Sequence, residues 1–256
     1  MTAEGLRLPP VYRLVALEEV ASTNDEARRL ARDGAPEGTV VWARAQTGGR
    51  GRMGRAWASP RGNLYMSLVL RPDCALAEAA LLSFVAAVGL GEALGTVLPA
   101  LAEVRFKWPN DILLNGRKCA GILLESDVGP DGRPEFLVMG IGVNLVTHPE
   151  ATTYPATDLA FEGAPPVAPE VVLQAFCRHF LVWSARWLDE GFAPVRRRWL
   201  AHAAGRGDML TVALPGGGGT ITGRFADLDE SGALVLEADA GRHLVHAGDV
   251  LLQGGS

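Results

Sequence analysis

The segment from Gly48 to Arg55 constrains this chain strongly, because it places three arginines among four glycines. No Asp or Glu occurs between Gly38 and Pro72, whereas six arginines do, in a protein whose formal net charge is −5. Glycine lets a backbone approach a ligand closely, and arginine donates paired hydrogen bonds to phosphate or carboxylate. The pattern favours an anion-binding loop over the plainer alternative, a solvated surface loop.

The composition is typical of a soluble globular protein. The 256 residues are 48% hydrophobic and 21% charged, and the first residues lack the basic and apolar regions of a signal peptide. No continuous apolar run has the length of a membrane span. We therefore expect a cytoplasmic protein with no membrane partner. An acidic chain with a single basic loop also argues against a general nucleic-acid partner.

Metal and disulfide chemistry are not predicted. The three cysteines, Cys74, Cys119 and Cys177, are too few and too widely spaced for a disulfide framework or a zinc site. His243 and His246 are three residues apart, and on a strand that spacing points the two rings to opposite faces. We expect no protein-bound metal and three reduced thiols.

The apolar periodicity predicts an α+β fold, in which helices flank a mixed β-sheet and a small five-stranded, barrel-like module follows from Asp208. The expected domains are residues 1–205 and 206–256. Helices are expected at 23–33, 76–94, 169–189 and 193–202, and strands at 11–15, 39–45, 63–70 and 135–145. Thr23 and Glu26 have the spacing of a capping box. The C-terminal module contains no cluster of catalytic residue types.

The segment from Val104 to Glu125 predicts two strands around a hairpin, because Asn115-Gly116 is a strong two-residue turn signal. Pro109 cannot donate to a central ladder, so we expect the chain to bend there. This geometry would bring together four polar side chains: Lys107, Asn110, Asp111 and Lys118. Gly140-Ile141-Gly142 on the next strand is a weak signal that a ligand or backbone passes close.

Motifs of several enzyme classes are missing from the sequence. It has no phosphate-binding Gly-x-x-x-x-Gly-Lys-Ser/Thr loop, no Gly-x-Ser-x-Gly nucleophile and no Rossmann glycine pattern. Without an evident nucleophile, positioning and electrostatic stabilisation are the expected means of catalysis. An arginine-rich loop with one or two lysines suits a reaction at a nucleotide phosphate.

These motifs together resemble those of biotin protein ligases. The matching segments are Ser22-Thr23-Asn24, the Gln46 to Arg55 loop, Lys107 to Asp111, Lys118 to Glu125 and Gly140 to Asn144. The resemblance covers nearly the whole chain and implies an SH3-like barrel at its C-terminal end. It implies that biotin reacts with ATP to give biotinyl-5′-AMP and pyrophosphate, and that biotin is then transferred to a lysine of a biotin carboxyl carrier protein. Mg²⁺ is expected with ATP.

The resemblance also implies a role for each site residue. Those expected to bind biotin are Ser22, Thr23, Asn24, Gln46, Arg50, Gly51, Arg52 and Lys118. Those expected to bind the nucleotide are Arg50, Arg52, Arg55, Trp57, Lys107, Asn110 and Asn144. Lys118, Arg52 and Asp111 are the expected catalytic residues; Asp111 would orient the carrier lysine or take up its proton, or would merely cap the bend after Pro109. Trp108 is expected in the core or beside the adenine.

Alternatives remain at this stage. A lipoate protein ligase shares the Asn110 to Gly121 segment, whereas Ser22-Thr23-Asn24 and the arginine loop favour biotin. A non-enzymatic RNA-binding protein is the other alternative. Only about twenty residues precede Ser22, too few for the winged helix-turn-helix of the repressor type, so the monofunctional type is expected, as a monomer or a homodimer.

Overall fold

Two β-sheets organise the chain in the computed structural model, which describes residues 6–130, 132–150, 152 and 154–251. The first sheet has seven strands in the order β1-β2-β3-β7-β6-β5-β4, and the second has five in the order β11-β10-β9-β8-β12. Only the β1–β2 pair is parallel; the other named strand pairs are antiparallel. The predicted α+β class, with a mixed sheet and a small all-β module, is confirmed.

Most elements with predicted bounds lie within two residues of them; the helix at 76–94 and the segment from Val104 to Glu125 differ. The strands are β1 (Arg13–Leu17), β2 (Thr39–Ala43), β3 (Leu64–Leu70), β4 (Val104–Lys107), β5 (Asp111–Leu114), β6 (Arg117–Val128), β7 (Pro134–Val143), β8 (Met209–Ala213), β9 (Thr220–Leu228), β10 (Leu234–Ala238), β11 (Gly241–Val245) and β12 (Asp249–Leu251). The helices are α1 (Thr23–Arg32), α2 (Leu76–Ala79), α3 (Leu82–Gly95), α4 (Pro169–Glu190) and α5 (Phe192–Ala201).

The seven-stranded sheet is covered on both faces, which explains its apolar strands. On one face, Val41, Val69 and Val138 pack against Ala27 and Ala31 of α1. Successive strand residues point to opposite faces, so the neighbouring residues join the larger core under α3, α4 and α5. Near the beginning of β6 and the end of β7, the strands carry Gly121, Gly140 and Gly142, and these three glycines line a cavity.

The predicted helix 76–94 is two helices. In the described part of the chain, the stretch Leu76–Gly95 is long and apolar enough to cross a membrane by length and composition alone. Glu78 and Glu92 interrupt its apolar run, and 67% of its apolar window is buried inside the protein. The long helix α3 lies between the sheet and α4, where its apolar surface forms core.

The segment from Val104 to Glu125 contains three strands, so the prediction of two was wrong. The chain reverses at Trp108–Asn110 as well as at the predicted turn, and β5 pairs with both β4 and β6. Asn115 and Gly116 have φ of 49° and 78°, as that turn requires. The additional reversal places Lys107 directly opposite Asp111.

The two sheets are joined through buried contacts. Trp108 is 3% exposed, and its Nε1 donates to the Gly232 carbonyl at 3.0 Å. Trp108 is therefore a core residue that ties the sheets together, and not a wall of the cavity. Arg196 of α5 makes an ion pair with Asp227 of β9. Separately, Asp249 of β12 pairs with Arg52 and Arg55 of the arginine-rich loop.

Candidate active site

One cavity of about 600 Å³ lies where the start of α1, the Gly48–Arg55 loop, the β4–β5–β6 region, the end of β7 and β12 meet. Every site residue predicted from the sequence lines it: Ser22, Thr23, Asn24, Gln46, Arg50, Gly51, Arg52, Arg55, Trp57, Lys107, Asn110, Asp111, Lys118 and Asn144. Segments that are far apart in the chain thus converge on one volume, which is polar at both ends and apolar between them.

The first polar end is built around the start of α1. Ser22 is the N-cap, and its Oγ accepts from the Asp25 amide at 3.4 Å, so the cap lies one residue before Thr23, the cap of the predicted capping box. Thr23 donates from its backbone N and its Oγ1 to Gln46 Oε1, at 2.8 and 3.0 Å. Gln46 Nε2 donates to Ser59 Oγ at 3.0 Å. These hydrogen bonds connect the start of α1 to the segment around Gln46 and Ser59 and fix their relative position.

Asn24 is engaged within the protein. Its Nδ2 donates to Glu125 Oε2 at 2.7 Å, and its Oδ1 accepts from Ser67 Oγ at 2.6 Å. The side chain lies on Gly140, where a Cβ would overlap it. Asn24 is 4% exposed, and both ends of its amide are bonded within the protein.

The arginines of the loop are neutralised by carboxylates remote in sequence, which the local charge count does not reveal. Arg50 donates to both Asp25 oxygens at 2.7 Å and to Glu125 Oε2 at 3.1 Å. Arg52 donates from Nη1 to the Gly248 carbonyl at 3.2 Å. Hydrogen bonds from Arg50 lower the pKa of Asp25, and burial lowers the pKa of Arg52.

The five-stranded C-terminal sheet also contributes a carboxylate that neutralises the arginines of the loop. Arg52 Nη1 and Arg55 Nη1 lie 3.5 and 3.1 Å from the carboxylate oxygens of Asp249. Val250 and Leu251 line the same cavity. The module that the sequence analysis left without a functional role therefore forms one wall of the site.

The opposite polar end contains two lysines that share one carboxylate. Lys118 Nζ lies 2.6 Å from Asp111 Oδ1, and Lys107 Nζ lies 3.6 Å from Asp111 Oδ2. Burial lowers the pKa of Lys107 despite this partner. Lys107 Nζ also lies over the Tyr154 ring, 4.9 Å from its centroid. Positive charge is thereby concentrated in a mostly buried place, which suits a developing anion.

Trp57 forms the apolar middle of the cavity. Its ring rests on two glycines: a Cβ on Gly142 would lie 2.6 Å from Trp57 Nε1, and one on Gly121 would lie 3.2 Å from Cζ3. Lys118 Nζ lies 5.3 Å from the indole centroid. The weak Gly-x-Gly signal thus marks the place where an indole approaches the sheet.

Two asparagines of the predicted set hold backbone. Asn110 Nδ2 donates to the Ile122 carbonyl at 2.6 Å, and Asn144 Nδ2 donates to the Thr157 carbonyl at 3.0 Å.

Among the described residues, no group of three or more His, Cys, Asp or Glu side chains is arranged to hold a metal ion.

Four residues that line the cavity or bond to its lining were not predicted as site residues, although one of them, Glu125, ends a matching segment: Ser67, Glu125, Tyr154 and Asp249. Ser67 and Glu125 face α1 from β3 and β6, and strand alternation from Val69 and Leu123 could have placed them there. Tyr154 and Asp249 come from a loop and from the second sheet, and no local pattern connects either of them to the arginine loop.

Two family models match most of the chain. A model of the Biotin/lipoate A/B protein ligase family matches residues 8–201, and a model of the Biotin protein ligase C terminal domain matches residues 211–253. The chain is 42% identical over 243 residues to the biotin--[acetyl-CoA-carboxylase] ligase of Paracoccus denitrificans, covering 93% of this chain and 100% of that protein.

Solved structures are similar over nearly the full length. The biotin protein ligase from Aquifex aeolicus in complex with biotin and ATP superposes with a TM-score of 0.79 at 28% identity, covering 95% of this chain and 99% of that one. The biotin protein ligase from Leishmania major in complex with biotinyl-5-AMP gives a TM-score of 0.59 at 29% identity, covering 96% and 100%.

Proposed function

This chain belongs to the biotin/lipoate A/B protein ligase family, and we propose that its cavity is the site where biotin is activated by ATP and passed to a carrier lysine. The chain is a biotin protein ligase that uses biotin and ATP. The lipoate alternative is not adopted, because the matched relatives are biotin protein ligases. The RNA-binding alternative gains no support from arginines that are held in ion pairs.

One observation carries the proposal for the site: two polar ends flank an apolar wall in a single volume of about 600 Å³. In this proposal Ser22, Thr23 and Gln46 bind the ureido ring of biotin. Trp57, which the resemblance assigns to the nucleotide, also packs along the apolar part of biotin. Asn24 stays part of the biotin pocket in this proposal, and its amide, which is bonded to Glu125 and Ser67, fixes the start of α1 there.

The chemical step is proposed at the lysine end. Lys118 neutralises charge as a carboxylate oxygen of biotin attacks the α-phosphorus of ATP and pyrophosphate leaves. Arg50 and Arg52 exchange their carboxylate partners for the biotin carboxylate and the phosphate, to which guanidinium is well matched. Gly51 binds with them at the biotin carboxylate, and Arg55 helps to order the loop over the nucleotide.

Several residues are proposed to hold the nucleotide and the carrier lysine. Lys107 attracts the phosphates, while Asn110 and Asn144 fix the backbone around them. Asp111 orients the carrier lysine during acyl transfer. Mg²⁺ is proposed to arrive with ATP and to be held by its phosphates, because Mg²⁺ in such sites keeps several waters and binds mainly through the substrate phosphates. When bound, it would supply charge neutralisation at the phosphates.

The same proposal covers the setting of the enzyme. It acts in the cytoplasm, as a monomer or a homodimer, on a biotin carboxyl carrier protein and without a nucleic-acid partner. The division into residues 1–205 and 206–256 stays a prediction.

A mass-spectrometric assay tests the function. A carrier domain is incubated with this protein, ATP, Mg²⁺ and either biotin or lipoate. We expect one biotin on the carrier lysine, lost in Lys118→Ala and Arg52→Ala but kept in Arg61→Ala, whose side chain is 59% exposed and pairs with Glu18. An unmodified carrier that another biotin ligase can modify would overturn the proposal.

A further inference from the structure

Lysine is almost absent from this chain. Of the 24 residues that are Lys or Arg, only Lys107 and Lys118 are lysines, and both line the cavity. A guanidinium stays protonated at physiological pH, whereas a lysine amine becomes a nucleophile once it loses its proton. The only lysine side chains that an acyl donor could modify on this protein therefore lie inside its own active site.

Such a donor is formed there if the proposed function holds, and the inference rests on that function. In biotinyl-5′-AMP the acyl carbon is activated by its bond to a phosphate oxygen. A neutral amine of Lys107 or Lys118 would attack that carbon and form an amide C–N bond. The acyl C–O bond would break, AMP would leave with the electron pair, and the amine proton would pass to solvent. The enzyme would then be blocked by its own intermediate.

The structure places a single carboxylate between the two amines. Asp111 Oδ1 lies 2.6 Å from Lys118 Nζ, and Asp111 Oδ2 lies 3.6 Å from Lys107 Nζ. The side chains of Asp111, Lys118 and Lys107 are 14%, 27% and 9% exposed, so solvent stabilises the Lys107 ammonium little and the Lys118 ammonium only in part. A nearby carboxylate favours the charged form of an amine, which cannot attack an acyl group.

Burial and the charge of Lys118 act against Asp111 and favour the neutral form of Lys107. Burial is the largest influence on Lys107 and lowers its pKa, and the charge of Lys118 lowers it further, whereas Asp111 raises it. Asp249 also favours the charged form of Lys107. Without Asp111, two like charges would share a largely buried site, and one of them would lose its proton more readily.

We propose that Asp111 protects this enzyme from self-acylation by holding both of its lysines protonated beside the adenylate. This role is separate from orienting the carrier lysine, which arrives from another protein. Asp111 is a positioning residue here, because it acts through the charge of the two amines.

The test supplies purified biotinyl-5′-AMP directly, so that a defect in activation by ATP does not obscure the result. Wild-type protein and Asp111→Asn are incubated with it without carrier, and peptide mass spectrometry locates biotin on Lys107 or Lys118. A partner charge shifts a pKa by about one to three units, so we expect Asp111→Asn to be modified at least about tenfold faster. Wild-type protein stays essentially unmodified at both positions.

Two further variants sharpen the result. Asp111→Glu keeps a carboxylate, and we expect it to restore protection; a role in folding alone would not separate Glu from Asn in this way. Arg61→Lys adds one exposed lysine outside the cavity and calibrates the modification rate of an ordinary amine. If Asp111→Asn does not fold, modification of Asp111→Glu at the rate of the added lysine would overturn the proposal.

Failure of the inference and failure of the function give different results. If wild-type protein does not transfer biotin from the adenylate to a carrier domain, the proposed function fails. If wild-type protein does so and Asp111→Asn binds the adenylate without faster modification of Lys107 or Lys118, only the protective role of Asp111 is refuted.

Discussion

Gly142 and Trp57 are matched to each other: a Cβ on Gly142 would lie 2.6 Å from both Nε1 and Cε2 of the indole. The indole of Trp57 thus fills the space that a side chain at residue 142 would need. Real Cβ atoms do not approach other atoms so closely, so Trp57 can lie flat on β7 only because residue 142 is glycine.

Gly142→Ala should displace the Trp57 ring into the cavity. We expect the KM for biotin to rise about tenfold, with a stability loss of about 1–3 kcal/mol typical of overpacking. Steady-state adenylation assays and thermal unfolding check both effects. Gly95→Ala is the matched control, because a Cβ there meets nothing within 4 Å. Unchanged biotin binding by the Gly142 variant would show that the ring position does not matter.

Glu125 holds two parts of the biotin end, since it accepts from Asn24 and Arg50. Hydrogen bonds to charged groups contribute about 1.5–3 kcal/mol, so Glu125→Ala should weaken biotin binding about tenfold to a hundredfold. Calorimetric titration with biotin measures the loss. Glu135→Gln, at an exposed position of β7, should bind like wild type, and an equal loss in both variants would contradict the assignment.

Asp249→Ala removes the carboxylate that faces Arg52 and Arg55. Because these pairs are partly exposed, the free energy of unfolding should change by no more than about 1 kcal/mol. The loop itself should become more accessible, so trypsin should cut after these arginines several-fold faster than in wild type. Asp73→Asn, which affects a pair far from the loop, is the control, and equal cleavage of both variants would argue against a restraining role for Asp249.

Asp25 gives a pH-dependent prediction. Hydrogen bonds from Arg50 lower its pKa in the folded state, so its contribution to stability is present above the ordinary carboxyl pKa of 3.8 and disappears as the pH falls through the lowered value. Asp25→Asn should therefore lower Tm slightly at pH 7 and not at all in strong acid. Since Asp25 is half exposed, the loss should stay within about 1 kcal/mol. A difference that persists in strong acid would point to another cause.

Local signals were sufficient for most elements. The Asn115-Gly116 turn needs two residues that tolerate positive φ, and Gly34 after α1 has a φ of 89°. Ser22 was not assigned as the cap because Ser22 and Thr23 are both good N-cap residues, and Thr23 has the capping-box partner. The additional strand β5 was missed because only the tertiary path decides whether a Pro109 bend reverses the chain.

The sequence predicted which residues line the candidate site, but it did not predict which carboxylates form ion pairs with the arginines of the loop. A family resemblance carried the residue set over, yet the ion pairs join positions such as Arg55 and Asp249, 194 residues apart. Sequence spacing contains no information about that distance. The count of charges along the chain therefore indicated free arginines where the fold provides partners.

The position of β12 limits how the C-terminal sheet can be exchanged between related proteins. Because Asp249, Val250 and Leu251 close one wall of the cavity, the small sheet cannot be exchanged between relatives as an independent module. A chimera that received a foreign C-terminal sheet would need a carboxylate at the same place and a matching apolar edge. Substitutions in the arginine loop and in β12 are therefore expected to arise together, as compensating pairs.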